Sequence, residues 1–177
     1  TETWLKPEDK TFNIPGYKFV GKNRENSRVA GTRQSGGIAW LVKESSKIQI
    51  KVLDSKFTWQ DVMWVELTFS NLMRPKSTWV KAIAGLVYLP SESKYFTNKP
   101  ERLARFYAKL TEEIKTWQGR CSNVWVMGDF NARFRSVSEK NSQIPPYNVT
   151  DDQNASGKLL IDLVKDCNLW ILNGRNE

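Results

Sequence analysis

Two short polar side chains, Asp129 and Asn131, flank Phe130 just past an apolar run, Val124–Met127. A carboxylate beside a carboxamide can hold a water against a phosphate oxygen, or share a hard cation. If the backbone stays extended, both side chains point to one side and Phe130 to the other. Polar residues at strand ends are the usual place for active sites in α/β folds. Asp and Asn also form turns and can simply satisfy local backbone groups, so spacing alone leaves both readings open. Tyr88 closes another apolar run and precedes Leu89-Pro90; taken singly it reads as a strand-end aromatic with a wet hydroxyl. Glu2, in Glu2-Thr3-Trp4, offers a second carboxylate, although terminal acids are usually solvated. Arg133 lies two residues past Asn131, where a phosphate contact or an ion pair with Asp151 or Asp152 suits it.

What the chain lacks narrows the chemistry. It has no His, which excludes Ser-His-Asp and Cys-His catalysis and His-ligated zinc within these 177 residues. Its two cysteines, Cys121 and Cys167, show no C-x-x-C spacing. They read as reduced structural thiols, which points to a nuclear or cytoplasmic compartment. Asn148-Val149-Thr150 and Asn154-Ala155-Ser156 fit the glycosylation pattern, but nothing in the sequence indicates secretion. No apolar run approaches the roughly 20 residues of a membrane span, so an integral membrane protein is not expected. Thr1 is not an initiator Met, and the chain reads as a processed or excised piece.

The charge is positive and unevenly placed. Lys and Arg number 27 against 19 Asp and Glu, a formal +8. Residues 1–120 hold 21 basic and 12 acidic side chains, and the remainder 6 and 7, so the excess belongs to the first two-thirds. Its densest stretch, Lys18, Lys22, Arg24, Arg28 and Arg33, is interleaved with glycine and polar residues and reads as a loop between strands. Such a loop suits either contact with a phosphate backbone or ordinary solvation on a basic protein.

The elements that must position these residues follow from periodicity. Strands are expected at Tyr17–Gly21, Gly36–Lys43, Ile48–Leu53, Met63–Phe69 and Trp79–Leu89, with connections short enough for antiparallel pairing. The Gly36–Lys43 run is apolar enough to be buried on both faces. Leu103, Phe106, Tyr107, Leu110, Ile114 and Trp117 mark one face of a helix, with Thr97 or Asn98 as cap, Pro100 in the first turn and Gly119 at its end. Val124–Met127 should be a buried strand. A second helix should run from about Gly157 to Cys167, with Asp151, Asp152 and Asn154 as cap candidates, before a last strand at Leu169–Leu172. Residues 135–157 read as a long surface loop within a single domain. Strands first, then helices between later strands, suggest an α/β sandwich with two sheets.

Taken in order, Glu2-Thr3-Trp4, Gly36-Gly37-Ile38-Ala39, Tyr88-Leu89-Pro90 and Gly128-Asp129-Phe130-Asn131 resemble the endonuclease/exonuclease/phosphatase family. Ser35-Gly36-Gly37-Ile38-Ala39, Gly128 to Arg133, Asn154 with Gly157-Lys158-Leu159-Leu160, and Ile171 to Arg175 are most similar to the apurinic-type endonuclease domain of non-LTR (LINE-like) retrotransposons. The resemblance implies a DNase I-like four-layer α/β sandwich and Mg²⁺-dependent hydrolysis of a DNA phosphodiester, with Mn²⁺ as the substitute cation. It implies Glu2, Asp129 and Asn131 as the metal-site residues. Asp129 would orient or activate the attacking water, Asn131 would hold water and phosphate, and Tyr88 would stabilise charge on the transition state. Arg133, Arg33, Arg28 and Arg24 are the candidate DNA contacts. Family members also carry an Asn on an earlier strand and a later Asp and Ser-Asp-His segment, which this chain lacks. The isolated chain is therefore expected to be weak or inactive, its parent domain a DNA-nicking endonuclease. The alternatives are a non-catalytic nucleic-acid-binding remnant and a phosphatase of the same fold.

Overall fold

The computed structural model describes residues 3, 5, 12–23, 36–55, 59–70, 79–90, 100–135, 143–144 and 152–173. Among the described residues six strands are present: β1 (Tyr17–Lys22), β2 (Ile38–Lys43), β3 (Gln49–Leu53), β4 (Val62–Ser70), β5 (Trp79–Tyr88) and β6 (Val124–Asp129). Two helices accompany them, α1 (Pro100–Gln118) and α2 (Ala155–Asp166). The fold is mixed α/β with two sheets, one in the order β1-β2 and one in the order β3-β4-β5-β6.

The β1–β2 and β3–β4–β5 pairings are antiparallel, and the connections over residues 54–61 and 71–78 are too short for a parallel crossover. β6 runs parallel to β5, reached through the helix-bearing connection that a parallel neighbour needs. The chain falls into two compact units: Thr1–Leu89 with Trp117–Asp129, and Pro90–Thr116 with Phe130–Glu177.

In the first unit the core lies on both faces of β4 and β5. On one face Met63, Val65 and Leu67 alternate along β4 beside Ala84, Leu86 and Tyr88 of β5, and Ile38 of β2 closes over them. On the other face Trp64 lies over Gly85, its register partner, where a Cβ would strike the indole. Trp64 also meets Trp117 with ring centroids 5.9 Å apart. Central strands covered on both sides should read as continuous apolar runs, and the buried stretches at residues 62–65 of β4 and 82–88 of β5 do.

The helical periodicity is borne out. Leu103, Phe106, Tyr107, Leu110, Ile114 and Trp117 are all buried. In α2, Leu163, Val164 and then Cys167 are buried, while Leu159 and Leu160 are half-buried. Burial pushes the Cys167 thiol above its ordinary value, the mark of a core cysteine with little thiolate at neutral pH. Cys121 is also a free thiol.

Three elements differ from expectation. β2 starts at Ile38, because Gly36 and Gly37 both take left-handed φ angles, 100° and 81°, which suit glycine and break a strand. It is also half-covered, with Leu41 exposed, because its sheet has only two strands among the described residues. β6 is not buried: it is the outer strand of its sheet among the described residues, and Trp125 and Met127 are 43% and 38% exposed. Trp125 leans across the small Ala82 and Ala84 side of β5 to meet Phe69, centroids 5.9 Å apart. Leu169–Leu172 forms no strand. Asn168 turns left-handed at φ 49°, the Leu169 N–H returns to the Val164 carbonyl at 2.8 Å, and the Ile171 N–H goes to Gln143. With its backbone groups used this way, and Leu172 76% exposed, the segment has no ladder to join.

Candidate functional site

The ends of three neighbouring chain segments bring Tyr88 and Asp129 together. β5 and β6 are in register as Val87↔Gly128 and Tyr88↔Asp129. Opposite residues of paired strands point to the same face, so both side chains leave the sheet on one side. Two backbone bonds secure this end. The Tyr88 N–H donates to the Asp61 carbonyl, and the Leu89 N–H donates to the Asp129 carbonyl, each at 2.8 Å. Tyr88 is 8% exposed, so most of its side chain packs in the core at the strand end and little of it is wet. Asp129 is exposed.

Gly128 makes the close β5–β6 contact. Its φ is 138°, and a Cβ there would collide with the Val87 carbonyl. The glycine of the Gly-Asp-Phe-Asn run therefore has a backbone reason to be glycine: any side chain would push β6, and Asp129 with it, off β5.

Beyond Phe130 the chain does not continue as a strand. Asn131 is left-handed at φ 45°, a conformation asparagine tolerates better than most residues. The side chains of Asp129 and Asn131 are therefore not related by strand alternation, contrary to the extended-backbone expectation. Asn131 is half-buried and Arg133 exposed.

In the second unit the Phe130–Arg133 loop is fastened to the start of α2. Asn154 caps that helix: its Oδ1 accepts from the Gly157 N–H at 2.8 Å. The same oxygen accepts from the Arg133 N–H at 2.9 Å, and the Asn154 Nδ2 donates to the Asn131 carbonyl at 2.8 Å. The backbone replies, with the Asn154 N–H donating to the Arg133 carbonyl at 3.1 Å. Gly157 packs so tightly against that carbonyl that a Cβ would overlap it. Ser156, fully buried, donates its Oγ–H to the Phe130 carbonyl at 2.9 Å. A serine has one proton to give, so Tyr107, 2.7 Å away, is the donor in the Tyr107–Ser156 pair. Tyr107→Phe removes that donor while leaving the Ser156–Phe130 bond. It should lower stability by about 0.5–1.5 kcal/mol in a urea titration; no change would mean the Tyr107–Ser156 bond adds nothing net to stability.

Glu2, Arg24, Arg28 and Arg33 lie outside the described residues, as do Thr97, Asn98 and the Asn148-Val149-Thr150 triplet. Thr3, the neighbour of Glu2 in sequence, donates its amide to the Gly37 carbonyl at 3.1 Å, just before β2.

No family model, curated protein or solved structure matches this chain. The reading of the site therefore rests on its own residues. Among the described residues no three His, Cys, Asp or Glu side chains gather as a metal centre. The exposed Asp129 carboxylate is a hard oxygen donor, the kind of ligand a Mg²⁺ that keeps most of its waters takes singly or in pairs. No described helix is long and apolar enough to cross a membrane.

Two features escaped the sequence. Asp61 is an acid buried to 4% exposure, and its carbonyl holds Tyr88 in place. An acid directly before an apolar strand was the available signal. Ser156 stood out in the sequence only as part of the Asn154-Ala155-Ser156 triplet, and the fold shows it bonded to the loop after Asp129.

Proposed function

We propose that this chain is the core of a Mg²⁺-dependent DNA-nicking endonuclease, folded as the four-layer α/β sandwich of the endonuclease/exonuclease/phosphatase family. Within that family the reading extends to the endonuclease domain of non-LTR retrotransposons, which the motifs at residues 128–133 and 154–160 resemble. The observation that carries the reading is the pairing of Tyr88 with Asp129 on one face at the ends of adjacent strands. A phenol and a carboxylate brought together at a sheet end suit phosphoryl transfer, which needs charge stabilisation and a placed nucleophile.

In this reading the Asp129 carboxylate accepts a hydrogen bond from the attacking water and takes its proton as the oxygen–phosphorus bond forms. The Tyr88 hydroxyl donates to a phosphate oxygen whose charge grows in the transition state. The Asn131 carboxamide donates to a second phosphate oxygen and fixes the group for in-line attack. The bond from phosphorus to the 3′ oxygen breaks, and that oxygen takes a proton from solvent water, leaving a 3′-hydroxyl and a 5′-phosphate. Glu2, Asp129 and Asn131 would hold Mg²⁺, which supplies charge neutralisation on the phosphate when bound. The exposed Arg133 and the basic first two-thirds hold the DNA backbone.

The test is nicking of supercoiled plasmid by the full natural protein, with Mg²⁺ or with EDTA. Mg²⁺-dependent nicked circles are expected. Plasmid binding without nicking would favour a binding remnant, and turnover of a small phosphoester but not of DNA would favour a phosphatase. Arg133→Gln should weaken plasmid binding and reduce the slope of log affinity against log salt by about 1, as loss of one phosphate contact does. An unchanged slope would remove Arg133 from the DNA surface.

A further inference from the structure

We propose that Asn154 and Ser156 are positioning residues for the site: from the first turn of α2 they fix the Phe130–Arg133 loop and so set where Asn131 presents its carboxamide. The inference rests on the reading of Asn131 as a phosphate-holding group.

Asn154 does more than a helix cap must. A cap needs one oxygen to accept from one amide near the helix start. Here the Oδ1 accepts from both Gly157 and Arg133, and the Nδ2 donates to the Asn131 carbonyl. The amide thus spans the loop, gripping residue 131 with its nitrogen and residue 133 with its oxygen. Ser156 grips residue 130, and Tyr107 behind it fixes the serine rotamer. Each of the carbonyls of residues 130, 131 and 133 accepts a hydrogen bond from residue 154 or 156.

That grip has something to hold. Asn131 sits at a left-handed φ of 45°, which is less favourable for most residues than extended or helical backbone. A short loop in that conformation keeps it only where its neighbours over-determine it. The close approach of Gly157 to the Arg133 carbonyl admits the loop to the helix end with no side chain between them.

The two functions of Asn154 are separable. Asn154→Asp keeps an oxygen for the Gly157 and Arg133 amides, and Asp is as good a cap as Asn. It removes the Nδ2 donor and sets a carboxylate oxygen against the Asn131 carbonyl, so only the hold on residue 131 is lost. A purely structural Asn154 would tolerate the change. A positioning Asn154 would not, because misplacing a reacting group by about 1 Å costs about 10²-fold in rate.

The experiment compares wild type, Asn154→Asp and Ser156→Ala in the full natural protein. It records nicking kcat and KM at matched folded fraction, and amide exchange and NMR shifts for residues 131, 133 and 157. For Asn154→Asp the expected result is a kcat lowered about 10²-fold with KM within about twofold. The Gly157 amide should stay protected, and the Asn131 amide should shift and exchange faster. Ser156→Ala should mobilise the same loop from its other end. A kcat within about twofold of wild type in Asn154→Asp, with Gly157 still protected, overturns the proposal. If the wild-type protein does not nick DNA, the functional reading fails and the NMR data still decide the grip. An unperturbed Asn131 amide in Asn154→Asp then overturns it, and a displaced one upholds it.

Discussion

Asp129→Ala is expected to lower Mg²⁺-dependent plasmid nicking by about 10³-fold while plasmid affinity changes by less than about threefold. In the proposed reading Asp129 serves the fold through its backbone and the chemistry through its side chain, and alanine removes only the second. Its carbonyl accepts the Leu89 amide at 2.8 Å and its backbone pairs with Tyr88, and alanine keeps both. The carboxylate is exposed at the strand end, so its removal should cost about 1 kcal/mol of stability or less. The turn-former reading of Gly-Asp-Phe-Asn expects the reverse, a loss of stability with activity falling only as folded protein is lost. Urea titration beside the nicking assay distinguishes the two. Undiminished nicking by a well-folded Asp129→Ala protein would end the catalytic reading of this residue.

Most of the fold-forming elements were legible because their signals are local. The α1 face is a 3.6-residue pattern six residues long, and all six are buried. Residues 62–65 of β4 and 82–88 of β5 are continuous apolar runs, and both are buried throughout. β6 carried the same kind of run, Val124 to Met127, and is half-exposed. The difference lies in its neighbours: β4 and β5 each have a strand on both sides, and β6 has one among the described residues. An apolar run records what a strand would bury, not whether a partner is there to cover it. Leu169–Leu172 failed for a related reason. Its composition suits a strand, but the left-handed Asn168 folds the chain back onto α2 and takes the Leu169 amide out of reach of a ladder.

The site was legible in part. The glycine, the acid and the amide of Gly128-Asp129-Phe130-Asn131 stood out by type and order. That Tyr88 shares a face with Asp129 depends on the β5–β6 register, which is a long-range property and leaves no local mark. Asn154 was recognisable as a cap from its place before an amphipathic run, but its second and third hydrogen bonds reach residues 21 and 23 positions away. The buried Ser156 and Asp61 were invisible for the same reason: polarity in sequence predicts exposure, and only the fold reveals a buried polar residue.

Gly128→Ala should be the most damaging small substitution at the site. It should lower stability by about 3 kcal/mol or more, and the urea midpoint by about 1–2 M. Two costs combine. At φ 138° an L-residue is strained, typically by about 1–3 kcal/mol. The new Cβ also meets the Val87 carbonyl, a backbone atom near the end of β5, which is paired on both sides and cannot rotate aside. Overpacking against such a group costs a further 1–3 kcal/mol or so. The natural comparison is Gly16→Ala, at φ 79° with open space where its Cβ would go. That variant bears the conformational strain without the collision, so it should lose about 1 kcal/mol. A difference between the two variants measures the β5–β6 contact itself. The same contact sets the Tyr88–Asp129 pairing, so the surviving folded fraction of Gly128→Ala should also nick less per folded molecule. Equal stability losses in the two variants would show that β6 can lift off β5 at little cost, and with it the premise that this strand end is a rigid platform.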